Sequence, residues 1–117
     1  MTSIVVGVFA LTAATAFAAP MDVLTSNTLV SRSDSGMEVR YHFNEDGTLD
    51  ASAGAMRITG RWTLDPNAGL LCVTIESPQP SSEPYCRPLD ESLAVGAQWD
   101  DVDGNGQPVT YRIEAGR

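Results

Sequence analysis

The residues of this chain that could do chemistry are few, and they are spread out. The single histidine is His42. The two cysteines are Cys72 and Cys86. An acidic, glycine-rich stretch runs Asp101-Val102-Asp103-Gly104-Asn105-Gly106-Gln107, and Arg40, Arg57 and Arg61 lie in the middle third of the chain. The acidic stretch matches the opening of a calcium loop, D-x-[DN]-x-[DN]-G. Asp101, Asp103 and Asn105 would offer side-chain oxygens, Gln107 a backbone carbonyl, and Gly106 the sharp turn that a hard cation with six to eight oxygen ligands needs. The twelfth position, where a bidentate glutamate belongs, is Arg112, and Pro108 follows the motif directly. The match therefore implies at most a weak calcium site, against the alternative of a hairpin turn that uses Gly and Asn for its backbone geometry.

The cysteines are separated by a loop of about 15 residues, far wider than the C-x-x-C spacing of redox pairs. A structural disulfide between them would contribute roughly 3 kcal/mol in the chain-entropy account. Catalytic sets are poorly represented. No G-x-S-x-G elbow is present, and Asp100 and Asp101 are sequence neighbours that a strand would point to opposite faces. A Ser/His/Asp set needs only to meet in space, but His42 lies on the polar face of its strand. The chain is read as a non-enzyme. Arg40, His42, Arg57 and Arg61 would share the outer face of strands two apart. They offer a patch for a carboxylate, a phosphate or an acidic partner, or else cross-strand partners for Glu38 and Asp50.

The elements that position these residues follow from period-two alternation. Met37, Val39, Tyr41 and Phe43 point one way, with Glu38, Arg40 and His42 opposite. Met56, Ile58, Gly60, Trp62 and Leu64 share a face, as do Leu71, Val73 and Ile75. Leu93, Val95, Ala97 and Trp99 alternate again, and Val109, Tyr111, Ile113 and Ala115 form a last inner face. Such half-buried strands belong to antiparallel sheets. Turn residues separate them: Ser33 to Gly36, Asn44 to Gly47, Asp65 to Gly69 and Asp90 to Ser92. Gly60, on an inner face two residues before Trp62, leaves space for a bulky neighbour or a bend. The inner row of Leu71, Val73 and Ile75 puts Cys72 outside, so a bridge would staple two strands from outside or meet Cys86 in irregular chain. Ser77 to Pro84 is too proline-rich for a strand, and Pro88 makes the short run after it an edge or a bulge. Met21 to Thr28 reads as a polar lead-in with at most one helical turn. The expected fold is all-β, a single antiparallel meander of seven to eight strands closing into a small barrel.

Ahead of the domain, residues 4 to 17 are apolar and uncharged and end in Ala16-Phe17-Ala18, the A-x-A pattern of a signal-peptide cleavage site. Residues 1–18 are therefore read as a cleaved signal peptide and 19–117 as the domain. The run is shorter than the about 20 apolar residues of a membrane span. No cysteine follows the cut to carry a lipid. Met1-Thr2-Ser3 has no Lys or Arg, so the amine supplies the positive charge or the start lies upstream. All charges fall in the mature part, where arginine is the only strong base, and the net charge is −8. That balance argues against nucleic acid and anionic membrane surfaces. The expected location is the periplasm or the exterior, with no membrane insertion after cleavage.

Tyr41-x-Phe43, Asp46-Gly47-Thr48, Gly60-x-Trp62, Leu71-Cys72 and Cys86 together resemble small exported β-proteins of alphaproteobacteria that have no assigned function and a calycin-like organisation. Trp62-x-Leu64, the cysteine pair and Trp99 before an Asp/Gly turn are similar, more faintly, to bacterial metalloprotease inhibitors of the small eight-stranded barrel type. With no catalytic set evident, the expected function is a non-catalytic exported binding or interaction module for an unknown protein or small ligand. The alternative, implied by the fainter similarity, is an inhibitor of a secreted protease, acting by N-terminal or loop insertion. Tyr41, Phe43, Trp62, Trp99 and Tyr111 would line any ligand cavity. In a domain of about 99 residues they are expected instead to fill the interior, since an eight-stranded barrel is just wide enough for side chains.

Overall fold

The computed structural model describes residues 17–117. The segment read as a signal peptide, residues 1–18, lies outside them except for Phe17 and Ala18. A helix, α1 (Ala18–Ser26), leads into eight strands: β1 (Thr28–Ser33), β2 (Glu38–Phe43), β3 (Thr48–Ala53), β4 (Met56–Asp65), β5 (Leu70–Ser77), β6 (Tyr85–Pro88), β7 (Gln98–Val102) and β8 (Pro108–Glu114). All pair antiparallel in one curled sheet, in the order β6-β5-β4-β3-β2-β1-β8-β7. The first six strands form a meander. The β7–β8 hairpin then joins on the far side of β1 through the β1–β8 ladder, Thr28 opposite Glu114 to Ser33 opposite Val109. The sheet curls into a half-barrel whose two edges, β6 and β7, share no ladder.

Three of the hairpins are built alike. In the β1–β2 loop the Ser33 N–H donates to Met37 O and the Gly36 N–H to Ser33 O. The β2–β3 loop repeats this with Asn44, Gly47 and Thr48, and the β7–β8 loop with Asp103, Gly106 and Gln107. The glycines sit at φ 87°, 89° and 78°. This is the type I turn with a left-handed bulge residue, which glycine adopts without steric cost.

The core lies at one end of the half-barrel. Met21 and Leu24 from α1, Phe43, Leu49, Leu93 and Ile113 are buried together. The polar lead-in expected at Met21 is thus corrected to a helix of nine residues that begins at Ala18 and inserts Pro20, Met21 and Leu24 beneath the sheet. It has no side-chain cap, so burial rather than local propensity holds it. A second correction concerns Leu93 to Ala97. The alternation there is not a strand. The Leu93 N–H bonds to Asp90 O and the Ala97 N–H to Ala94 O, and Gly96 takes φ 89°. These turns carry the chain across the same end, where Leu93 completes the plug.

Candidate functional site

The disulfide fixes how one wall of the half-barrel faces. Cys72 and Cys86 are direct cross-strand partners and are bonded, so the bridge staples β5 to β6 from outside. Alternation then turns Tyr85 and Arg87 inward. Across the open seam, β7 turns Trp99 and Asp101 inward, with Trp99 opposite Tyr111 and Asp101 opposite Val109. The two edges meet through side chains. The Arg87 guanidinium forks onto Asp101, Nε to Oδ2 at 3.1 Å and Nη2 to Oδ1 at 2.8 Å. The Tyr85 hydroxyl donates to the Val102 carbonyl. Asp100 faces outward and accepts from Thr110.

Behind this seam the interior is not filled, contrary to the expectation from chain length. A cleft of about 1190 Å³ runs along the concave face. Leu24, Leu29, Leu71, Val73 and Ile75 supply its depth, and Tyr41, Tyr85, Trp99 and Tyr111 its aromatic surface. Small inner residues make the room. Ser31 separates Tyr111 from Val39 in one cross-strand row, and Ala51 separates Tyr41 from Ile58 in another. Trp99 and Tyr111 lie with ring centroids 5.6 Å apart, tilted by 31°. The Ser31 hydroxyl reaches the Tyr41 hydroxyl at 3.5 Å. Burial raises all three tyrosine pKa values above their ordinary range, most strongly at Tyr111, so the phenols stay neutral. Phe43 lines the cleft floor. Trp62 does not line the cleft. It packs edge-on against Phe43 at 6.3 Å and donates its Nε1–H to Asn44 O at 2.8 Å, which anchors the β2–β3 hairpin.

The residues read as a calcium loop are occupied otherwise. Asp101 is spent on Arg87. Asp103 Oδ1 accepts the backbone N–H groups of Asn105 and Gln107 at 2.8 and 2.9 Å. The Gln107 carbonyl, needed as a ligand, already accepts from the Asp103 N–H. Ser33 closes the β1–β2 loop in the same way, its hydroxyl accepting from the Met37 N–H at 3.2 Å. The motif is therefore the third copy of one hairpin turn. Among the described residues no group of three or more His, Cys, Asp or Glu is arranged to hold a metal ion. Melting curves in millimolar calcium and in EDTA are expected to superimpose. Asp103→Ala should lower stability by about 1 kcal/mol in both, through its lost backbone hydrogen bonds. A calcium-dependent rise in the midpoint would restore the metal reading.

The expected cationic patch is largely paired. Arg40 Nη2 meets Glu114 Oε1 at 2.5 Å, and Arg61 Nε meets Glu76 Oε2 at 3.1 Å. Arg112 bridges Glu114 and Glu38, and Arg32 adds to Glu38. Arg40 and Arg112 are both cross-strand neighbours of Val30, which is 0% exposed on the outer face. Their aliphatic stems cover it. Hydrogen bonds from Arg40 and Arg112 hold the Glu114 carboxyl below its usual range. Arg57 lies in the same row as Arg40, both opposite Ser52, and makes no ion pair among the described residues. His42 Nε2 lies 3.1 Å from the Thr28 hydroxyl. Burial, then Arg117 and Arg40, push its pKa down.

Inspection of the sequence alone missed Tyr85 and Arg87 as part of the site. The signal was present: once Cys86 is outward, its two neighbours must face in. Compared with protein-family models, curated proteins and solved structures, the chain has no match.

Proposed function

We propose that this chain is a non-catalytic binding module, working outside the cytoplasm, that takes a small and largely apolar ligand into the cleft of its half-barrel. The cleft itself carries the reading. Its volume is at or above the range of about 300–1,000 Å³ common for small-ligand sites, and apolar and aromatic walls with a few polar groups are their usual character. Several observations support the rest. His42 lies on the outer face, away from the cleft, so the one imidazole is not placed to act on a bound molecule. The Cys72–Cys86 disulfide and the Ala16-Phe17-Ala18 signal favour an oxidising, exported setting. The protease-inhibitor alternative gains no support of its own, because Pro20, Met21 and Leu24 are buried and that segment is not presented as an inserting arm.

Titration of the native, oxidised protein with the neutral apolar dye Nile red tests the reading. Saturable fluorescence enhancement with one dye per chain is expected. Enhancement that appears only when denaturant loosens the fold, or none at all, would remove the cleft as a binding site.

A further inference from the structure

We propose that the cleft selects an organic cation bearing an apolar tail, such as an alkyl quaternary ammonium; this deepens the reading of the cleft as a binding site and rests on it. The first argument is charge. The cleft is lined by four carboxylates, Glu83, Asp90, Asp101 and Asp103, against a single guanidinium, Arg87. Arg87 is itself committed to Asp101 by two hydrogen bonds. An anionic headgroup arriving there would meet a surplus of negative charge and a cation already paired with a carboxylate. A cation would meet the reverse.

The second argument is surface type. Tyr41, Tyr85, Trp99 and Tyr111 present aromatic rings to the same space. Aromatic faces attract cations, most strongly where water is thinned out, and quaternary ammonium groups are a common occupant of such cages. Metal ions need converging oxygens, which the hydrogen bonding of Asp101 and Asp103 denies. A diffuse organic cation needs none. The third argument is that the wall already holds one organic cation of its own. The Arg87 guanidinium lies against Asp101 on the same inner face as Tyr85, and its hydrogen bonds to Asp101, together with that carboxylate's charge, favour its protonated form. Leu29, Leu71, Val73 and Ile75 extend inward from this point and offer an alkyl tail the burial that rewards each methylene by about 0.8 kcal/mol.

The test is calorimetric titration of the full oxidised chain with decyltrimethylammonium and with decyl sulfate, both below their micellar concentrations, alongside Nile red competition. One cationic amphiphile per chain is expected, displacing the dye and binding about tenfold or more tighter than decyl sulfate. Arg87→Gln should widen that preference by about another tenfold, because it removes a like charge and leaves Asp101 uncompensated. Asp103→Asn keeps an oxygen for the loop N–H groups, and should narrow the preference by about threefold. Decyl sulfate binding as tightly as the cation, or Arg87→Gln narrowing the preference, overturns the inference. Cation binding that leaves the dye in place does so too, since it reports only attraction to an acidic surface. In these cases continued dye binding leaves the cleft reading intact. Should the dye fail to bind the parent protein, the cleft reading itself has failed.

Discussion

Phe43→Ala is expected to lower the free energy of unfolding by about 4 kcal/mol, near the upper end for truncation of a buried aromatic. Phe43 is 2% exposed and is the residue on which three separate parts of the chain converge. Met21 and Leu24 approach from α1, Leu93 from the crossing between β6 and β7, and Leu49 and Ile113 from the sheet. Trp62 adds an edge contact. Removing the ring leaves a void that opens into the adjoining cleft, so the surroundings have no reason to collapse around it. A domain of ordinary stability has about 5–15 kcal/mol in total, and the variant would lose a large share. Urea denaturation followed by tryptophan fluorescence measures it. A midpoint near that of the parent would mean that α1 and the Leu93 crossing do not seal the half-barrel as described.

Gly60→Ala should cost about 3 kcal/mol, by overpacking rather than by cavity formation. A Cβ at Gly60 would fall onto the Thr74 backbone carbonyl, with the Ile75 Cα 3.2 Å away. Both neighbours are main chain within the β4–β5 ladder, whose register shifts at Thr59 and Gly60. Neither can move aside without breaking the pairing. Gly104→Ala is the control. Its added carbon would come no closer than 3.9 Å to the Tyr85 ring, and thermal melting should place it close to the parent. Equal midpoints for the two variants would show that the irregularity at Gly60 relaxes freely.

The half-barrel was legible in the sequence wherever one face of a strand is buried. The alternation of Val39 to Phe43, Ile58 to Leu64 and Leu71 to Ile75 reports burial directly, and β2, β4 and β5 cover those residues, whereas Met37 and Met56 at the ends of the pattern are exposed. The bridge was legible because two cysteines in a chain read as exported have one way to pair. What escaped is non-local. Alternation says which way a side chain points, not how far away the opposite wall stands. The cleft therefore depends on distances that Ser31 and Ala51 set only once the sheet has curled. The Leu93 to Trp99 alternation has the same look as a strand, yet only Trp99 lies in one, because Leu93 is buried as a plug rather than as a member of a row. Helix α1 lacked every local start signal and forms through the contacts of Pro20, Met21 and Leu24. The Arg87–Asp101 fork joins residues on the two edges, and nothing short of the curl brings them together.

The open seam bears on how these molecules behave in a crowd. A sheet that stops without closing presents two rows of unpaired backbone groups, the usual template for edge-to-edge polymerisation. Both rows here are poor templates. β6 is four residues long and β7 five. Pro88 has no N–H to offer an incoming strand. Arg87 and Asp101 turn charge toward the interior on both edges, so a docking strand would have to separate the fork and strand one member of the pair without its partner. The same two side chains that bound the cleft therefore act as a guard against fibre growth, and a barrel left ajar stays closed to its own kind.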